Sequence, residues 1–251
     1  MSGKKILMLV GDFTEEYEIF VFQQGMEAVG HTVHVVCPDK KSGEILKTSL
    51  HDFEGDQTYT EKPGHNFTLN KSFAKADPAD YDAVYCAGGR GPEYIRTDKR
   101  VQALVRHFHE AGKPIFTICH GVQILVAVDG VVRGKKVAAL GACEPEVTLA
   151  GGTYIDLSPT EAYVDGTMVS AKGWTALAAF MRECLAVLGT RIVHENVAIQ
   201  AAPPSKKRAA KAEAAVVAVA AKPVKRRIAP ESETGATPSR KTRKREIEAM
   251  P

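Results

Sequence analysis

No two cysteines in this chain stand at metal-finger or redox spacing. The five, Cys37, Cys86, Cys119, Cys143 and Cys184, are scattered 24 to 49 residues apart without a CxxC pair. That excludes a zinc framework or a disulfide scaffold, and an odd set of isolated cysteines fits reduced thiols in an intracellular compartment. Long apolar runs are missing as well. Nothing approaches the roughly 18 residues of a membrane span, so no membrane partner is expected. The start, MSGKKILMLVGDF, offers only Ile6–Val10 before Asp12 and reads as a strand rather than a signal peptide. A glycine-rich phosphate cradle is also absent. The loop after that strand carries Gly11 with Asp12, Glu15, Glu16 and Glu18, and four carboxylates repel a pyrophosphate. In the later GGRGP, Pro92 and Glu93 stand where a dinucleotide fingerprint needs a third glycine and a helix start. A dinucleotide cofactor is therefore not expected.

What is present is enough apolar residue for a sizeable core, at 44% of 251 residues, which excludes a collagenous or wholly disordered chain. The net charge of +3 conceals a division. Residues 203–251 hold 13 Lys/Arg against 5 Asp/Glu, and residues 1–202 hold 20 against 25. An acidic body at 1–196 is thus expected to precede a basic tail at 197–251 that has no aromatic residue and is expected to be disordered. The clusters Lys206-Lys207-Arg208, Lys222 to Arg227 and Arg240 to Arg245 suit a nucleic-acid phosphate backbone or a nuclear import receptor, and a merely solvated tail equally. The corresponding location is cytoplasmic, with nuclear access through the tail.

Within the body, apolar periodicity alternates. Strands are expected at Ile6–Val10, Thr32–Cys37, Asp82–Ala87, Pro114–Ile118 and Val137–Leu140. Helices are expected from about Glu18 to Val29, and at Val101–His109, Gly121–Val128 and Trp174–Leu188. Asp165-Gly166 marks a tight hairpin. Residues 40–73 have no helical period and read as an inserted hairpin or lid. The fold class this implies is a flavodoxin-like or Rossmann-like α/β sandwich, a mostly parallel sheet with helices on both faces. A site in such a sheet lies beyond the carboxyl ends of the strands, which selects Gly11–Glu18, Gly88–Tyr94 and Cys119–Gly121.

Cys119 stands where the strand ending at Ile118 must turn into a helix, with His120 beside it and Gly121 giving the backbone room, as in a nucleophile elbow. A helix start and a nearby imidazole both activate a thiol. The competing reading is an inert buried cysteine, which fits the other four. Glu18 can lean over the same sheet edge and shuttle protons, or it can be helix-start decoration for dipole reasons, which suffices for Glu15 and Glu16. Glu93 can orient His120 or form a surface ion pair with Arg90. His51 and His65 lie in an irregular segment without a supporting cysteine and read as polar loop residues, so no metal is expected.

GDFTEEYE, AGGRGPEY and ICHG, together with HDFEGDQTYTEKPGHNFTLN, resemble in order the ThiJ/PfpI superfamily, related in fold to the class I glutamine amidotransferases, and especially its plant-type glutathione-independent glyoxalase III branch. The resemblance covers about residues 4–190 and excludes the tail. It implies Cys119 as nucleophile, His120 as its neighbouring histidine, Glu18 as the cleft glutamate, and Glu93 as a glutamate lent across a subunit interface. It also implies a small 2-oxoaldehyde as substrate, no cofactor and no metal, and a homo-oligomer, either dimer or hexamer. Related readings within the superfamily are a cysteine peptidase or amidase and a redox-sensing chaperone. Two features depart from the plant-type pattern: one copy of the unit rather than two in tandem, and the bulky Lys172-Gly173-Trp174 before the last helix.

Overall fold

The computed structural model describes residues 3–194. The expected basic tail, with its three clusters and its expected disorder, lies outside the described residues. The chain runs β1 (Lys5–Leu9), β2 (Thr14–Glu15), α1 (Glu16–Ala28), β3 (Thr32–Val36), β4 (Ile45–Leu46), β5 (Thr48–Asp52), β6 (Thr60–Pro63) and β7 (Phe67–Thr68). It continues through β8 (Ala83–Cys86), α2 (Gly91–Ile95), α3 (Lys99–Glu110), β9 (Ile115–Ile118) and α4 (Val122–Val126). The last part is β10 (Lys136–Val137), α5 (Glu144–Leu149), β11 (Thr153–Tyr154), β12 (Ala162–Asp165), β13 (Met168–Ala171) and α6 (Leu177–Val187).

Six strands form the central sheet in the order β12-β13-β9-β8-β1-β3. All neighbours are parallel except β12 with β13. The period-2 geometry of a strand divides the apolar run of β1 between two cores. Ile6 and Met8 join Ile19, Phe22 and Met26 of α1 and Phe180 and Cys184 of α6 on one face. Leu7 and Leu9 join Val101, Val105 and Phe108 of α3 and Ile124 and Leu125 of α4 on the other. Burial on both faces explains why these strands read as continuous apolar stretches. The β12–β13 turn uses Gly166 at φ +62°, which suits the first position of a two-residue hairpin loop.

The segment expected as a fourth or fifth sheet strand at Val137–Leu140 behaves differently. Only Lys136–Val137 is extended, and it pairs with β11 in a separate two-stranded ribbon, because the neighbouring place beside β9 is taken by β13. The helix α2 begins where Pro92 and Glu93 were read as unsuited to a helix start; proline in the first turn loses no helical hydrogen bond. Residues 40–73 form hairpin structure as expected, with β5 paired to β6 and to β2, and β4 paired to β7. Among the described residues, no helix is long and apolar enough to cross a membrane.

Candidate active site

From β1 the chain moves to β3 on one side and later to β8 on the other, so the sheet order switches direction between β1 and β8. That is where a parallel sheet opens a crevice at its carboxyl end. Three strand ends meet there: β1 leading to Glu15 and Glu18, β8 leading to Gly88, and β9 leading to Cys119. All five cysteines are free thiols, and Cys119 alone is not fully buried.

Cys119 holds φ +56°, a left-handed conformation that costs a non-glycine residue about 1 kcal/mol or more. The chain turns there from β9 straight into a helical turn at Cys119–Gly121. The bend requires Gly121, since a Cβ there would sit 2.0 Å from the Cys86 carbonyl oxygen. Gly88 has the same function against the reactive groups: a Cβ would lie 2.6 Å from Cys119 Cβ and 2.7 Å from Glu18 Oε2. The backbone N–H groups of Gly89 and His120 lie against the thiol sulfur.

Glu18, in the first turn of α1, is completely buried. Its Oε2 accepts the Gly88 N–H at 2.6 Å, and its Oε1 has no hydrogen-bond partner among the described residues. Burial, and then the charge of Glu15, push its carboxyl well above the usual range, against the pull of the Gly88 N–H and the Cys119 thiol. Burial and Glu18 likewise push the thiol up. Two acids in such contact resist ionising together, so burial and each other's charge push both toward the protonated form. His120 is buried with Nδ1 3.6 Å from Cys119 Sγ. Burial and the neighbouring His51 hold its pKa down to about 4, so at neutral pH it is a neutral acceptor.

Glu93 is exposed on α2 and its carboxylate makes no hydrogen bond among the described residues. Arg90, the alternative partner, pairs instead with Glu61 at 2.9 Å. The site thus gathers Cys119, His120 and Glu18, and leaves Glu93 on the surface. It also contains residues that the sequence reading passed over. Glu15 caps α1 by accepting the Tyr17 N–H, yet it is buried and its Oε2 accepts both the backbone N–H and Nδ1 of His51, at 2.9 and 2.7 Å. His51 is buried on β5 rather than being a polar loop residue. Trp174, from the stretch that departs from the plant-type pattern, stacks on Tyr17 at 5.4 Å and donates Nε1–H to the His51 carbonyl. Glu15 lies in the selected loop Gly11–Glu18 and His51 opens the stretch HDFEGDQTYTEKPGHNFTLN, but neither motif shows that the two side chains meet. Glu15, His51, Phe53, Tyr59, Cys119, His120, Leu140, Gly173 and Trp174 line one pocket. Among the described residues, no cluster of three His, Cys, Asp or Glu side chains is placed to hold a metal.

The family model described as DJ-1/PfpI matches residues 4–187. Protein DJ-1 homolog D of Arabidopsis thaliana is 42% identical over 192 residues, covering 76% of this chain and 49% of that protein. Protein/nucleic acid deglycase 2 of Escherichia coli is 33% identical over 188 residues, 74% of this chain and 99% of that protein. The chain spans about half the length of the Arabidopsis relatives it matches. A two-domain protein of Anabaena variabilis, containing DJ-1/ThiJ/PfpI-like and ferritin-like domains, superposes with TM-score 0.61 at 25% identity over 74% of this chain and 48% of that one. Schizosaccharomyces pombe DJ-1, at 18% identity and TM-score 0.59 over 87% of this chain and 100% of that one, shares the fold. With the sheet order, the strained cysteine corner and the sequence match in agreement, this chain belongs to the DJ-1/PfpI family.

Proposed function

We propose that the protein converts a small 2-oxoaldehyde such as methylglyoxal, with water, to a 2-hydroxy acid such as lactate, without glutathione, metal or other cofactor. The observation that carries this is one strained thiol with the fully buried carboxyl of Glu18 and the imidazole of His120 beside it, opening on a pocket walled by His51, Tyr59 and Trp174. His120 takes the thiol proton and the thiolate sulfur bonds to the aldehyde carbon. Glu18 gives its proton to the resulting alkoxide, forming a hemithioacetal. As carboxylate, Glu18 then removes the C–H proton, and an enediol forms as the His120 imidazolium gives its proton to the adjacent carbonyl oxygen. Glu18 returns its proton to the second carbon and takes the one that the first carbon's hydroxyl loses, leaving a thioester. Water, deprotonated by His120, hydrolyses it to the acid and the free thiol. The backbone N–H groups of Gly89 and His120, which lie against the thiol sulfur, stabilise the oxyanion of that last step.

The Glu93 carboxylate, free on α2, orients His120 of a neighbouring copy in a homo-oligomer. The basic segment 203–251 contacts a polyanion or an import receptor and serves as an address separable from turnover, so its deletion leaves turnover unchanged and removes DNA binding or nuclear enrichment. A second reading follows from the relatives named deglycases: release of an aldehyde-derived group from protein or nucleic acid by the same cysteine. The deciding experiment supplies the intact chain with methylglyoxal, or separately with a methylglyoxal-modified peptide, and follows lactate. Turnover of the free aldehyde that Cys119→Ser abolishes supports the first reading. Turnover only of the modified peptide moves the assignment to the second, and undiminished turnover in Cys119→Ser removes both.

A further inference from the structure

The pocket wall supplied by the β5–β6 hairpin holds a chain of ionisable groups that the steps above do not use. Both ring nitrogens of His51 face carboxylates, Nδ1 at 2.7 Å from Glu15 Oε2 and Nε2 at 3.2 Å from Glu61 Oε2. An ionised carboxylate only accepts hydrogen bonds, and a neutral imidazole donates from only one nitrogen. Both bonds form together only if His51 is an imidazolium. Its partners are fixed as acceptors by further donors: Glu15 by the N–H groups of Tyr17 and His51, and Glu61 by Arg90 Nε at 2.9 Å. The hairpin is tied down at the same residue by the Trp174 indole, bonded at 2.9 Å to the His51 carbonyl. One aromatic ring joins this group to the reactive pair, with Tyr59 edge-on to His51 at 5.3 Å and to His120 at 5.6 Å.

We propose that His51 is a positioning residue: a doubly donating imidazolium, brought in by the inserted hairpin, whose charge keeps His120 the neutral acceptor for the Cys119 thiol proton. The groups that face His51 are Glu15 from β2, Glu61 from β6, Tyr59 from the turn before β6 and His120 from the turn after β9, with Arg90 behind Glu61. Glu15 and Glu61 raise the pKa of His51 against the effect of its burial, and His51 in turn lowers that of His120. The approach of a neighbouring copy's Glu93 favours the charged form of His120, so the opposing charge of His51 keeps that ring able to release its proton.

The assignment of a role in turnover rests on the proposed cysteine chemistry, whereas the electrostatic coupling does not, and the test separates them. Histidine-labelled intact protein is titrated by NMR as wild type, His51→Gln, Glu61→Gln and His51→Lys, and methylglyoxal turnover is measured across pH for each. His51 should titrate above its ordinary value of 6.5 in the wild type. In His51→Gln the His120 midpoint should rise by about half a pH unit, a fraction of what an uncompensated neighbouring charge exerts. The acid limb of turnover should move with it, lowering the ratio of the rate at pH 4 to that at pH 7.5 roughly twofold. Glu61→Gln, at a partly exposed position that folding tolerates, should give a smaller shift in the same direction, and His51→Lys should restore the wild-type midpoint. A His120 midpoint identical in all four proteins, or a His51 that is neutral below pH 6.5, overturns the inference. No turnover in the wild type overturns the proposed function alone, since the histidine titrations still decide the coupling.

Discussion

Glu18 and Glu15 lie one helical turn apart, and burial with bonding gives them different chemistry. Glu15 is held by Tyr17 and His51, whereas Glu18 has one N–H bond, one oxygen without a partner among the described residues, and a carboxyl pushed up by burial. Glu18→Gln should therefore fold and keep a thiol that alkylates, yet lose turnover by about 10²-fold or more, because an amide carries no exchangeable acid proton. Lactate formation near the wild-type rate in Glu18→Gln would remove Glu18 from the mechanism. The two glycines separate packing from chemistry. Gly121→Ala forces a methyl group onto the Cys86 carbonyl and should destabilise the protein by about 3 kcal/mol in urea unfolding. Gly88→Ala meets Cys119 Cβ, which the backbone holds in place, and Glu18 Oε2, so it should cost stability as well and, unlike Gly121→Ala, lose turnover in the molecules that remain folded as Cys119 and Glu18 are pushed apart. Unchanged turnover in folded Gly88→Ala would contradict this division.

At the scale of elements, the β5–β6 hairpin is what distinguishes this pocket from a bare sheet edge. It contributes His51, Phe53 and Tyr59 to the lining, and it is fastened from three sides: by β2 through backbone pairing, by Arg90 through Glu61, and by Trp174 through the His51 carbonyl. Trp174→Phe keeps an aromatic ring for the stack on Tyr17 and removes only the indole donor. The loss should be about 1 kcal/mol by denaturant titration, with faster amide exchange confined to the hairpin. Uniformly faster exchange throughout the sheet would show that Trp174 supports the core instead.

For the whole folded unit, the histidines set the pH range of stability. His120 is held near 4 against 6.5 unfolded, and His31 and His34 are also lowered by burial, so their contribution is complete above 6.5 and is lost as pH falls from about 6.5 toward 4. His51 is raised, so its contribution is complete below 6.5 and is lost as pH rises through its folded value. Thermal melts across pH should show greatest stability near neutrality, with His51→Gln flattening the alkaline side. A stability that rises steadily to pH 9 would contradict the charged state of His51.

The sequence by itself determined the sheet and the nucleophile corner, because both are local. An apolar run of five residues, a proline stop, an Asp-Gly turn and a Cys-His-Gly step each state their conformation within a few residues. Positions beyond strand ends then follow from the rule of the parallel sheet, and they placed Glu18 and Cys119 on one edge before any distance was known. Partnership across the chain was a different matter. Glu15 and His51 are 36 residues apart, and His51 and Trp174 are 123 apart. Neither pair leaves a periodic trace. The strand expected at Val137–Leu140 failed for the same reason: its residues are apolar enough for the sheet, but β13 took the place beside β9. Glu93 reads as a site residue in the motif, and the folded single chain leaves it facing solvent. Whether a side chain is buried, charged or free depends on what the other segments bring against it, and tertiary structure alone decides that.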